Sequence, residues 1–187
     1  MAERNLYIKS VMALFKKEHQ DVLQKLDELN DSISNLQYEG KVFFGKNTKA
    51  IEKTVQFLKK KLLEHIELDE EVIFSYVQMH IPKLYPMLCF LRAERNEFKL
   101  SIKNFEFLSK QLRVEKNELR QQKIIDQIKE KGIYAVCLMR NHIQIEIESV
   151  YKPIDQELHL EEKKELITKC LKYRLKIRPR QHANKSP

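Results

Sequence analysis

Turn-forming residues are scarce in this sequence. Glycine occurs three times and proline five times in 187 residues, whereas a sandwich or barrel of short strands needs a turn roughly every 8–12 residues. That shortage excludes a many-stranded fold and leaves long helices with few connections. Cysteine is equally sparse. Cys89, Cys137 and Cys170 are odd in number and share no CxxC spacing, so they form no disulfide framework and fit reduced thiols in a cytoplasmic protein. No apolar run approaches the ~20 residues of a membrane span. The opening MAERNLYIKS carries charge where a secretory leader needs an apolar run. The motifs GxSxG, GxxxxGKS/T and GxGxxG are missing, which removes the nucleophile elbow, the phosphate loop and the dinucleotide fingerprint.

Acidic residues are absent from the last sixteen positions. Lys172, Arg174, Lys176, Arg178, Arg180 and Lys185 supply six of the eight net positive charges there. The body is nearly balanced, so no nucleic-acid surface is expected on it. The tail is expected to be solvated, with an acidic or anionic partner as the alternative.

What the sequence does have is helical periodicity. With 42% hydrophobic residues, the chain can bury a core without staples. Ile8, Met12, Phe15, His19, Val22, Leu26, Leu29 and Ile33 follow steps of four and three, the seam of a bundle helix. Residues 39–45 break the pattern and read as a loop, with Asn47 or Thr48 as the next helix cap. A second seam runs Ile51, Val55, Leu58, Leu62, His65, Asp69, Val72, Tyr76 and should end before Pro82. A third runs Leu84, Leu88, Leu91, Arg95, Phe98, Ile102, Phe105, and a charged link at 114–117 follows. The fourth runs Ile128, Ala135, Met139, His142, Glu146, Ser149 to Pro153, which terminates or bends it. An amphipathic segment from Leu160 to about Leu175 comes last. The expected fold is all-α: an up-down-up-down antiparallel four-helix bundle over 1–155, a C-terminal helix over 156–176 and a basic disordered tail over 177–187. His19 precedes His65 by 46 residues and Arg95 precedes His142 by 47, so the two halves are expected to be pseudo-symmetric.

The seams contain residues that an apolar core does not want. His19, His65, Asp69, Arg95, His142 and Glu146 stand where leucine costs less, and a buried ionisable group must be paired, hydrogen-bonded or metal-bound. HxxxD at 65–69 and HxxxE at 142–146 each put a nitrogen and an oxygen ligand on one helix face. Two such faces can hold two cations bridged by carboxylates, and imidazole with carboxylate favours iron or manganese. No cysteine adjoins these positions, so a zinc–thiolate site is not expected.

The motifs Glu18-His19 in LFKKEHQDVLQKLDEL, His65-Ile66-Glu67-Leu68-Asp69-Glu70-Glu71, Glu94-Arg95 in FLRAERNEF, and His142-Ile143-Gln144-Ile145-Glu146 resemble, in order, those of the hemerythrin-like HHE cation-binding domains. The resemblance spans roughly residues 5–155. It implies that His19, His65, Asp69, His142 and Glu146 are iron ligands, Asp69 and Glu146 bridging, in a non-haem and preferentially di-iron centre. It implies binding or sensing of O2 or NO, or iron handling in stress repair, and leaves a redox enzyme activity open. One position departs from the family. Arg95 stands where the family offers histidine, and a guanidinium has no lone pair to give a metal. Either Arg95 swings aside and Glu94, Glu97 or water completes an asymmetric centre, or Arg95 pairs with Asp69 or Glu146 in place of metal. In the second case the chain is a metal-free helical interaction module.

Overall fold

The computed structural model describes residues 10–38 and 40–183, with side chains at all of these except 37–38, 40–44, 63 and 177–183. Helix α1 spans Val11–Tyr38 and α2 spans Gly40–Leu68, which passes through a π-helical segment, Asp69–Phe74, into α3, Ser75–His80. A 3-10 turn at Pro82–Leu84 leads to α4, Tyr85–Val114. Helix α5, Glu118–Glu146, passes through a second π-helical segment, Ile147–Tyr151, into α6, Lys152–Glu157. Helix α7, Leu160–Ala183, closes the described chain, which contains no strand.

The boundaries have local causes. Ser10 caps α1 by accepting from the Ala13 amide at 3.0 Å, and Asp155 on α6 accepts from the Val11 amide at 2.9 Å. A carboxylate at a helix N-terminus is stabilising, so this contact also fixes the end of α6 against α1. Ile81 leaves helical geometry (φ −133, ψ 65) immediately before Pro82, as the clash of a proline ring with its predecessor requires. Asn117 caps α5 through its side-chain oxygen and the Arg120 amide, 3.1 Å apart.

The four long helices bury their seams against one another as a helical bundle. Contacts between neighbours pair rising with falling residue numbers. Asp27 meets Arg140 and Ile33 meets Gly132 across α1 and α5, while Glu52 meets Arg113 and Lys59 meets Glu106 across α2 and α4. Gly132 is needed where it stands, because a Cβ there would lie 2.3 Å from Ile33 Cδ1 and 2.8 Å from Phe105 Cε2.

Several expectations are corrected. The segment 40–45 is helical, not a loop, since α2 starts at Gly40; an internal glycine costs a helix only about 1 kcal/mol. Asn47 and Thr48 are therefore buried inside α2 and do not cap it. Met12 faces outward, with Val11 taking its place in the core; Ile8 lies outside the described residues. Pro153 does not end its helix. It stands at the start of α6, directly after the second π-helical segment, within an unbroken helical run from Glu118 to Glu157. Helix α7 continues past residue 176 to Ala183.

The core has two apolar parts. One is built from Val22 to Leu36, Ile51 to Ile66, Phe98 to Leu112 and Ile125 to Ile143. The other gathers Val11, Phe15, Leu68, Phe74, Leu91, Tyr151, Ile154 and the α7 residues Leu166, Ile167 and Cys170. On each long helix the ionisable seam residues stand where the first part gives way to the second: His19 on α1, His65 on α2, Arg95 on α4, and His142 with Glu146 on α5. The bundle thus carries a polar belt between two apolar halves.

Candidate metal centre

Every residue of the belt is buried, and Asp69, Arg95 and Glu146 have no exposed surface at all. The side chains converge. His19 Nε2 lies 3.3 Å from His65 Nε2 and 3.2 Å from Glu146 Oε2, and His65 Nε2 lies 3.1 Å from the same oxygen. Asp69 Oδ2 is 3.2 Å from His65 Nε2. Both π-helical segments adjoin a carboxylate of this cluster: Asp69 opens the first, and Glu146 directly precedes the second. A π turn shifts the register of one helix by a residue and is commonest at functional sites. Here the second one turns Tyr151 inward. The Tyr151 hydroxyl donates to Asp69 Oδ1 at 3.0 Å, and its ring stacks on His19 and Phe15 at 5.7 and 5.1 Å.

Arg95 occupies the other half of the belt. Its Nη2 donates to both Asp69 Oδ2 and Glu146 Oε1, and its Nε donates to His142 Nε2 at 3.2 Å. The guanidinium lies over the Phe74 ring, 4.4 Å from its centroid. His142 is completed from its other side, where Nδ1 lies 3.0 Å from Glu94 Oε2. With Nε2 accepting from Arg95, the proton of His142 belongs on Nδ1, directed at Glu94.

The electrostatics follow from this geometry. Burial, then the charge of Arg95, lowers His142 to about 4, so it is neutral at pH 7. Burial also opposes protonation of His65, yet the carboxylates of Asp69 and Glu146 outweigh it and lift His65 to about 10. Burial and the neighbouring Glu146 push Asp69 up to about 7. Glu146 goes the other way: against the effect of burial, Arg95 and then His65 hold it well below the usual carboxylate range. Two cations, Arg95 and His65, thus face two carboxyl groups, and the belt is close to neutral.

A cavity of about 240 Å³ opens from the surface onto His19, His65 and His142. At its mouth Glu18 lies between His65 Nδ1, 3.6 Å away, and Arg174 Nη2 on α7, 2.8 Å away.

Comparison with protein-family models matches residues 10–154 to the hemerythrin HHE cation binding domain. The chain belongs to the hemerythrin HHE cation-binding domain family. Comparisons with curated proteins and with solved structures return no match. The family match ends in α6, so α7 and its Arg174 lie beyond the matched residues.

The residues fit a hemerythrin-type cation on one side of the belt only. His19, His65 and Glu146 each offer a ligand atom, and these lie within 4.8 Å of one another. Their mutual spacings of 3.1–3.3 Å match adjacent ligands around an ion with metal–ligand distances of about 2.1 Å. The other side does not fit. His142 Nε2 and the second oxygen of Glu146 face the Arg95 guanidinium, a fixed charge with no lone pair. The expectation that Arg95 swings aside for Glu94 or Glu97 is not met. Glu94 instead orients His142, and Glu97 accepts from the Tyr134 hydroxyl at the surface.

Sequence reasoning brought five of the six seam residues to one cluster and left the pairing of Arg95 open. It overlooked Tyr151 and Arg174. A buried tyrosine needs a partner for its hydroxyl, but only the π turn after Glu146 shows which one. Of the off-seam histidines, His80 stacks on Tyr76 at 4.1 Å and His159 is exposed.

Proposed function

We propose that this hemerythrin-family protein binds a single iron ion through His19, His65 and Glu146, with Asp69 at its edge. Arg95 takes the place of a second metal ion. The observation that carries this reading is the convergence of two imidazole nitrogens and one carboxylate oxygen at 3.1–3.3 Å, facing an open cavity. Iron bound there supplies a coordination position for a small ligand such as O2 or NO, which fits a sensing or iron-handling role. The chain's own residues do the rest. Arg95 holds Asp69 and Glu146 in place and keeps the His142 side of the belt charged without metal. Glu94 fixes the His142 tautomer, and Tyr151 holds the second oxygen of Asp69. Among the described residues no helix is long and apolar enough to cross a membrane. The described cysteines are free, which accords with a reducing, cytoplasmic setting.

A second reading has its own support. Arg95 is fully buried with both carboxylates as partners, so Asp69 and Glu146 have a counter-ion without any metal, as a metal-free interaction module requires. Metal analysis of protein purified after iron supplementation separates the two. The metal-binding reading predicts about one iron per chain in the wild type and none in His65→Ala. Equal, negligible iron in both supports the metal-free module.

A further inference from the structure

The mouth of the cavity holds a carboxylate whose partners differ in kind. Glu18 Oε2 lies 3.6 Å from His65 Nδ1, and Oε1 lies 2.8 Å from Arg174 Nη2. His65 Nδ1 is buried and makes no hydrogen bond, and Glu18 stands 3.6 Å from it among the residues that line the cavity. The Arg174 contact is a charge pair without hydrogen-bond geometry, formed by an arginine that is 26% exposed and lies over the Phe15 ring at 4.9 Å. With both side chains partly exposed and no hydrogen bond between them, this pair is a weak tie between α7 and α1, on the order of 1 kcal/mol.

We propose that Glu18 is the landing ligand through which a divalent cation reaches the His19–His65–Glu146 cluster, and that Arg174 is the gate that neutralises Glu18 and covers the mouth. The inference rests on the metal-binding reading above. It makes α7, which lies outside the matched family region, a working part of the site. A closed gate pairs Glu18 with Arg174. An open one frees both Glu18 oxygens beside the Nδ1 edge of His65, with Lys61 and Asp21 completing the rim.

The test uses the full chain, stripped of metal and mixed anaerobically with iron(II), with free ion trapped by a chromogenic chelator at timed intervals. Wild type, Glu18→Gln and Arg174→Gln are compared for loading rate and for iron bound at equilibrium. Circular dichroism confirms that both rim variants fold. Arg174→Gln is expected to load and release iron about tenfold faster, and Glu18→Gln to load about tenfold slower, the scale of local electrostatic effects on association. Both variants should reach the wild-type stoichiometry. Equal loading rates in all three proteins overturn the proposal. Loss of equilibrium binding in Glu18→Gln also overturns it, since Glu18 is then a resident ligand. A wild type that binds no iron at equilibrium refutes the metal-binding reading itself, and this inference with it. That failure appears in the stoichiometry of the unaltered protein, not in a difference of rates.

Discussion

Removing the Arg95 side chain leaves Asp69 and Glu146 buried without their shared counter-ion. Breaking a buried pair in this way costs about 3–5 kcal/mol, so Arg95→Ala in metal-free protein should lose that much stability in urea unfolding. A loss below about 1 kcal/mol would mean that the guanidinium does not hold the belt. The protonation states make a second prediction at this scale. His65 keeps its proton to about 10 in the folded chain, while the unfolded chain releases it near 6.5. Its contribution to metal-free stability is therefore complete below pH 6.5 and lost as pH rises through 10. Asp69, raised to about 7, favours the folded state at lower pH, and His142, lowered to about 4, favours it at higher pH. Between roughly pH 4 and 6.5 these two slopes oppose each other. Stability should thus be nearly level from pH 5 to 6.5 and decline from pH 7 to 10. His65→Gln should lack that decline, and a wild-type curve level to pH 10 contradicts the assignment. These residues were legible in the sequence because burial of ionisable groups at seam positions is costly and therefore informative. The partners of Arg95 were not, because periodicity places a side chain on a face without fixing its rotamer.

The four seams were readable at the scale of elements because each holds its 3–4 stepping for five turns or more. The two π-helical segments were not, since a one-residue register shift leaves no compositional trace. Their placement after His65 and His142 nevertheless extends the near-equal 46- and 47-residue spacings into a structural repeat. The helix across 40–45 was also hidden, because two glycines five residues apart read as a break. Gly45 offers a direct check. A Cβ there meets nothing within 4 Å, and glycine inside a helix costs about 1 kcal/mol relative to alanine. Gly45→Ala should therefore raise the urea midpoint by an equivalent of about 0.5–1 kcal/mol. A destabilised Gly45→Ala would show that this stretch is not helical and that the loop reading holds. Helix α7 was expected only as an amphipathic appendage. Its Leu166, Ile167 and Cys170 complete the second apolar core, and Arg174 on the same helix reaches the cavity mouth. Nothing in its spacing could show that. The basic side chains from 177 onward lie outside the described residues, so their expected acidic partner is carried by the sequence alone.

The whole molecule is a helical bundle divided by a polar belt, and the division has a thermodynamic consequence. A ligand bound only by the folded state adds RT ln(1 + [L]/Kd), about 2.7 kcal/mol at a hundredfold excess over Kd. For a chain of this size that corresponds to a rise in Tm of roughly 5–11 °C, read by calorimetry with and without iron(II). His65→Ala should show no rise. Iron should stabilise the belt from one side while Arg95 holds the other, so the two halves of a pseudo-symmetric site carry charge by different means. The family's own pattern, with histidine at the arginine position, makes the comparison sharp. Arg95→His removes the fixed charge and supplies a lone pair where His142 and Glu146 already face. The central measurement is therefore iron per chain at saturation, by metal analysis of wild type and Arg95→His side by side. The account predicts close to one ion in the wild type and a movement toward two in the variant. Two ions in the wild type, or none in either protein, would contradict it.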